Sequence, residues 1–286
     1  MSDLDRPLSP IFKMPLTPKN QYRITPPSGH TLKIAHISDT HLGLNERTVY
    51  VPDGHGKSEP VKKEVNSFKK FLGLIQTIQA LDPDIIIHTG DIMDKELFGD
   101  LERYQNFKSN LLNLRKDRLF LYLRGNHDKK FGGKYIRDLL HKWDVLSIED
   151  AAPISIANNQ IMLYGTDYQN VKSTGYFNVD QIDIPPEVIS IGAFHQSIQN
   201  ISRSFNANVD LSDLSPPDKI TPEYYDLVLL GHMHTSHIDR TESCAVIDGG
   251  SAFGLDTAST VGLLTFSKGA SHYQKFPLWL NEAQPS

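Results

Sequence analysis

The chain has a single cysteine, Cys244, among its 286 residues. That excludes an internal disulfide and a thiolate-built zinc site, and it fits a reducing, cytoplasmic compartment. No apolar run approaches the ~20 residues that span a bilayer, so no membrane role is expected. The first thirty residues lack the apolar segment of a secretory leader. Positive charge is not in excess either: 29 Lys and Arg stand against 34 Asp and Glu, for a net charge of −5. There is no global basic field for nucleic acid, which leaves a local basic groove, a dimer surface or a partner protein as routes to such a role. Internal repeats and low-complexity tracts are also missing. What remains, 39% hydrophobic and 22% charged, is ordinary for a globular protein and long enough for a sizeable core.

Residues 1–30 read as an irregular N-terminal arm, because their prolines forbid regular helix. A strand is expected over Leu32–Ser38, then a long polar loop over 43–60. Val65, Phe68, Leu72, Ile75 and Ile78 recur at helical spacing, and Asp82-Pro83 stops the pattern. The β-branched run Asp84–Asp91 reads as a buried strand. Leu101, Tyr104, Phe107, Leu111 and Leu114 mark a second helix, Arg118–Leu123 a third strand, and Tyr135, Ile136, Leu139 and Leu140 a third helix. A short strand follows at Val145–Ile148. The second half reads mainly as strands: 154–156, 160–164, 187–194, 227–230, 244–248 and 261–266. Residues 196–224 read as a loop excursion. Strand–helix alternation followed by strands predicts an α/β (α+β) chain with two sheets and no interdomain linker.

Five polar blocks sit at or just after expected strand ends. They are Asp39-Thr40-His41, Gly90-Asp91, Gly125-Asn126-His127-Asp128, Phe194-His195 and Gly231-His232-Met233-His234. An Asp-x-His pair alone is common, and a lone His beside a strand is usually a satisfied core residue. Burying all of these groups without metal or mutual pairing would cost ~1–3 kcal/mol for each unsatisfied one. Carboxylate, imidazole and amide oxygen together suit Mn²⁺, Fe²⁺ or Zn²⁺. In a two-metal site one carboxylate bridges the ions, whose shared water becomes hydroxide near neutral pH for in-line attack on phosphorus.

In this order the blocks resemble the calcineurin-like metallophosphoesterase superfamily over residues 32–266. The resemblance implies a four-layer sandwich of two mixed β-sheets flanked by helices, formed by residues 31–286. It implies two divalent metal ions, Mn²⁺ first among them with Fe²⁺ or Zn²⁺ as alternatives. Asp39, His41 and His234 would hold one ion; Asn126, His195 and His232 would hold the other, with Asp91 as bridge. His127 would act on the leaving oxygen or stabilise the transition state, and Asp128 would orient His127. Gly90, Gly125 and Gly231 would allow close approach, though simple turn glycines would look the same.

The runs Ser-Asp-Thr-His-Leu-Gly43, Gly-Asp-Ile-Met-Asp94, Phe-His-Gln-Ser197 and Gly-Gly-Ser251 are most similar to SbcD-type DNA repair nucleases. By that resemblance the substrate is a DNA phosphodiester, cut by exo- or endonuclease action. A small-molecule or cyclic-nucleotide phosphodiesterase is the alternative, favoured by compact length and negative charge. Asp94 stands where some of these nucleases carry a histidine associated with exonuclease cutting. The chain runs about twenty residues past its last expected core strand, so a DNA-contacting cap and an ATPase-gripping segment are not expected; an ATPase partner and a homodimer are left open. Arg124, Lys129 and Lys130, with Lys134 nearby, are candidates to guide phosphate, as are Lys57, Lys62, Lys63, Lys69 and Lys70. His36 and His88 read as core groups or supports behind the ligands. His55, His237, Asp167 and Tyr168 are further candidates at the cleft.

Overall fold

A computed structural model describes residues 20–21, 31–44, 46–52, 58–64, 67–94, 97, 99–115, 117–130, 133–151, 153–157, 160–169, 185, 187–198, 214–215, 225–232, 234, 237–240, 245–248, 260–267 and 270–278. The first half contains β1 (Asn20–Gln21), β2 (Leu32–Ile37), β3 (Glu46–Pro52), β4 (Ser58–Glu64), α1 (Ser67–Leu81), β5 (Ile85–His88), α2 (Leu101–Arg115) and β6 (Leu119–Tyr122). Next come α3 (Asn126–Lys130), α4 (Gly133–Lys142), β7 (Leu146–Ser147) and α5 (Ile148–Ala151). The second half contains β8 (Ile154–Ile156), β9 (Ile161–Thr166), β10 (Ile189–His195), β11 (Ser197–Ile198), β12 (Leu214–Ser215) and β13 (Leu227–Gly231). It ends with β14 (His237–Arg240), β15 (Ala245–Asp248), β16 (Thr260–Ser267) and β17 (Ala270–Pro277).

Two mixed sheets dominate. One has the order β17-β16-β2-β5-β6-β7, with β2, β5, β6 and β7 parallel and β16 antiparallel to both neighbours. The other has the order β1-β8-β9-β10-β13-β15-β14, with β9, β10, β13 and β15 parallel. Side-chain alternation along the strands divides the core in two. Ile34, Ile85, Ile87 and Leu121 face the second sheet, where they meet Leu163, Ile191, Leu227 and Leu229. Ala35, Ile37, Ile86 and Tyr122 face the other way and pack under α1, α2 and α4, against Phe71, Leu74, Phe107 and Ile136. Helix, sheet and sheet are thus stacked, giving the two mixed sheets and three of the four layers of the expected sandwich. Among the described residues no helix covers the far face of the second sheet.

The structure corrects several expectations. The polar loop over 43–60 is instead largely the antiparallel hairpin β3–β4, in register from Glu46↔Glu64 to Pro52↔Ser58. Thr48-Val49-Tyr50-Val51 is a strand-prone run, and Asp53-Gly54 is a hairpin turn pair in the sequence. Asn20 and Gln21 of the N-terminal arm pair in parallel with β8. The buried stripe of α1 is Phe71, Leu74, Ile75 and Ile78, whereas Leu72 is 38% exposed. Leu101 is 72% exposed at the start of α2. Strands β11 and β12, paired within the expected 196–224 loop, strands β14 and β17 and helices α3 and α5 are additions to the expected elements. The rest of the arm, most of the 196–224 excursion, His55, Lys57, Cys244 and Ser251 lie outside the described residues, as do the side chains of Lys63, Lys134 and His237.

Candidate active site

The parallel strands β2, β5 and β6 all end at one edge of their sheet, in register at Ile37↔His88 and His88↔Tyr122. In the second sheet β10 and β13 end together at His195↔Gly231. The loops that follow bring the five blocks to one place, the C-terminal edge that open α/β sheets use for sites. Backbone hydrogen bonds fix those loops. Asp39 N–H donates to Gly90 O at 2.9 Å, His41 N–H to Asp91 O at 2.9 Å and Leu42 N–H to Ile92 O at 3.0 Å. The turns are tight enough that Asp39, His41 and Asp91 have positive φ values of 51°, 40° and 54°, a strained region for such residues. Gly90 is at φ +108°, and a Cβ there would run into the His195 imidazole; one on Gly125 would run into Asp91. At these two positions glycine is required by the site itself.

Within the cluster, Asp39, His41 and His234 present one ligand atom each within 4.8 Å of one another. So do Asp39, Asp91 and His195, and so do His41, Asp91 and His127. His41 Nε2 and His234 Nε2 approach to 3.3 Å. Asp39 Oδ1 lies 3.9 Å from the first and 3.5 Å from the second. Two imidazole nitrogens and a carboxylate oxygen facing one another are a donor set that a divalent cation satisfies. On the other side Asn126 Oδ1 is 3.1 Å from His195 Nε2 and 3.0 Å from His232 Nδ1, while Asp91 Oδ2 is 3.4 Å from His195 Nε2. His195 Nδ1 donates to Thr89 O at 2.7 Å, which turns its Nε2 into the cluster.

The electrostatics show carboxylates held ionised among imidazoles, a setting that favours positive charge. Burial pushes the Asp39 and Asp91 carboxyls up, but the neighbouring imidazoles outweigh it. Asp39 is held well below the usual range by His234, His195 and His41, and Asp91 is lowered to about 2 by His195 and His41. Burial opposes charge on His195 too, yet Asp91, Asp39 and the Thr89 carbonyl raise it to about 10. His232 goes the other way, to about 4, through burial and the His195 charge.

His36 and His88 sit beneath the ligand loops. Gly90 N–H donates to His88 Nδ1 at 3.2 Å, so His88 Nε2–H donates to Thr40 Oγ1 at 3.0 Å, and Thr40 passes its own proton to Ile92 O at 2.9 Å. His36 Nε2 meets Thr89 Oγ1 at 3.0 Å. Burial lowers both histidines to about 3, so they act as neutral props.

Two expected roles meet a different geometry. Asp128 does not sit behind the His127 ring. Its carboxylate accepts backbone N–H groups from Ile92 at 3.1 Å, Met93 at 3.3 Å and Gly125 at 2.9 Å, and so staples two ligand loops together. The carboxylate at His127 Nδ1 is Asp94, at 2.9 Å, which also receives His41 Nδ1–H at 3.0 Å. In the sequence Asp94 stands out for closing the Gly-Asp-Ile-Met-Asp run and for replacing a histidine; its place three residues after Asp91 on the same loop is the signal that could have found it. Arg124 is the second correction. Its guanidinium is held by Asp167 and by Glu149 at 3.1 Å, so two carboxylates engage the group expected to guide phosphate. Lys129 and Lys130 are exposed beside His127, with Lys129 Nζ donating to Tyr168 O at 2.6 Å.

Over residues 32–236 the sequence matches the calcineurin-like phosphoesterase family. It is 25% identical over 217 residues to the DNA double-strand break repair protein Mre11 of Methanococcus maripaludis, covering 71% of this chain and 52% of that protein. The chain thus spans about half the length of that curated relative. A 5′-nucleotidase precursor from Thermus thermophilus superposes with a TM-score of 0.51 at 14% identity, over 87% of this chain and 55% of that one. A dimetal phosphatase from Danio rerio superposes with a TM-score of 0.53 at 8% identity, over 86% and 99%. At such identities the structural likeness is one of fold. No helix among the described residues is long and apolar enough to cross a membrane. The match over residues 32–236 identifies the chain as a member of the calcineurin-like phosphoesterase family.

Proposed function

We propose that the chain is a dinuclear, Mn²⁺-dependent phosphodiester hydrolase with DNA as its substrate. The observation that carries this is the sharing of ligands. Asp39 and Asp91 each belong to two of the metal-capable groups, and Asp91 approaches both His41 Nε2, at 3.6 Å, and His195 Nε2, at 3.4 Å. A carboxylate between two imidazole sets is what a bridged pair requires. The assignment is Asp39, His41, His234 and Asp91 for one ion, and Asp91, Asn126, His195 and His232 for the other. The ions, when bound, supply charge neutralisation and an activated water near neutral pH.

The chain's own residues do the remainder. Asp94 accepts the His127 Nδ1–H, so it is the imidazolium form of His127 whose Nε2–H, on the far side of the ring from that carboxylate, can be given to the leaving oxygen. His127 N–H donates to Asp91 Oδ1 at 2.8 Å, which ties the acid to the bridging carboxylate. Lys129 and Lys130 offer local positive charge to a phosphate chain. The similarity to a double-strand break repair protein favours DNA. The second reading, a cyclic-nucleotide or other small phosphodiester substrate, is favoured by the net charge of −5 and by the engagement of Arg124 with Asp167 and Glu149. The deciding assay compares single- and double-stranded DNA with cyclic nucleotides under Mn²⁺. Cleavage of DNA supports the first reading, and cleavage of cyclic nucleotides alone replaces it with the second.

A further inference from the structure

The loop after β9 borders the site without any part in the hydrolysis described above. Tyr168 N–H donates to Arg124 O at 2.8 Å, and Arg124 N–H donates to Asp167 Oδ1 at 2.8 Å. Asp167 is fully buried and also takes the Arg124 guanidinium, while Lys129 caps the Tyr168 carbonyl. Tyr168 is thereby stitched to the Arg124–Lys129 segment, the one that carries Asn126 and His127. A backbone held at both ends in this way presets the direction of its side chain.

The ring lies on the Asn126 side of the cluster. Its centroid is 5.5 Å from that of His232 at an interplanar angle of 35°, and 6.2 Å from that of His195 at 75°. His195 is fully buried and Tyr168 only partly so. The phenol plane therefore stands where the His195 and His232 side of the site meets solvent, and it belongs to neither hydrophobic core. A planar ring fixed beside a phosphate position suits a planar group carried by that phosphate.

We propose that Tyr168 is a specificity-determining residue, an aromatic wall on which the nucleobase next to the bound phosphate stacks. The proposal rests on the phosphodiesterase reading and names what that site selects. Base stacking on an aromatic side chain tolerates any base, so it confers preference for nucleotides over sugar phosphates without sequence preference.

The test is calorimetric binding to the full chain loaded with Mn²⁺, in a His127→Asn background so that turnover does not intrude. The probes are thymidine 5′-monophosphate and 2-deoxyribose 5-phosphate, which differ only in the base. Thymidine monophosphate is expected to bind about tenfold more tightly. Tyr168→Leu should abolish that preference while leaving sugar-phosphate affinity and Mn²⁺ content unchanged, and Tyr168→Phe should keep it. A preference that survives Tyr168→Leu overturns the proposal, as does equal weakening of both probes or loss of Mn²⁺, which would make Tyr168 a packing partner of His232. Absence of any preference in the parent protein also overturns it. Because the readout is binding, these failures are distinct from failure of the hydrolytic reading, which is an absence of diester cleavage by the unsubstituted enzyme.

Discussion

Asp94 receives two imidazole protons at once, from His41 at 3.0 Å and from His127 at 2.9 Å. A carboxylate shared in this way links a metal-ligand candidate to the general acid, so its removal touches both. His127→Asn should lower turnover by roughly 10²–10⁴-fold with metal content unchanged. Asp94→Asn should lower activity about 10- to 100-fold and weaken Mn²⁺ binding as well. Steady-state kinetics paired with metal analysis separates the two. If His127→Asn also empties the site, the acid has been misassigned. Asp128 predicts the opposite pattern. Burial and the Asp91 charge raise it to about 6, and its carboxylate serves three backbone donors, each costing ~1–3 kcal/mol if left unsatisfied in the interior. Asp128→Ala should therefore cost at least ~2 kcal/mol of stability and lower the melting temperature, whereas a mere orienter of His127 would leave it unchanged.

Strands and helices set where these residues can meet. Five strand ends could be read from the sequence because apolar, often β-branched runs such as Ile85-Ile86-Ile87 stop abruptly at polar blocks, and the parallel arrangement then gathers the blocks at one edge. The phase of α1 was harder to read. Ile75 and Ile78 belong to the buried stripe as the spacing predicts, but Phe68 and Leu72 or Phe71 and Leu74 would complete it equally well, and only packing under the sheet selects the second pair. Leu74→Ala should accordingly cost about 2–5 kcal/mol, and Leu72→Ser less than ~0.5 kcal/mol, as read by chemical denaturation; equal costs would refute the placement of α1. The role of Asp94 escaped the sequence for a different reason. Whether Asp94 or Asp128 lies behind His127 depends on the short helix α3, which turns the Asp128 carboxylate back onto the 91–93 loop. That is a matter of rotamer and loop closure, to which spacing is blind. Arg124 is similar, because its partners Asp167 and Glu149 lie 43 and 25 residues away.

Taken whole, the molecule concentrates acidic groups and imidazoles at one edge of a net-negative body. Among the described residues the exposed Lys129 and Lys130 offer basic help beside His127, so Lys129→Ala with Lys130→Ala should weaken binding of long DNA and flatten its salt dependence; unchanged affinity would argue for a small substrate. The site is also linked to pH through His195. Its folded value of about 10 lies above the ordinary 6.5, so its proton stabilises the metal-free fold fully below 6.5. That contribution is lost as pH rises through about 10. Metal-free protein should therefore melt at lower temperature over that window. Mn²⁺ binding near neutral pH should release protons, and affinity should rise with pH. Calorimetry in buffers of different ionisation enthalpy reads the proton release. The most direct test of the central claim is metal stoichiometry by elemental analysis after Mn²⁺ loading, for the parent chain and for Asp91→Asn. A ligand-sharing dinuclear site predicts two ions per chain in the parent and loss of both on replacing Asp91. A parent that holds a single ion, or an Asp91→Asn variant that keeps two, would contradict it.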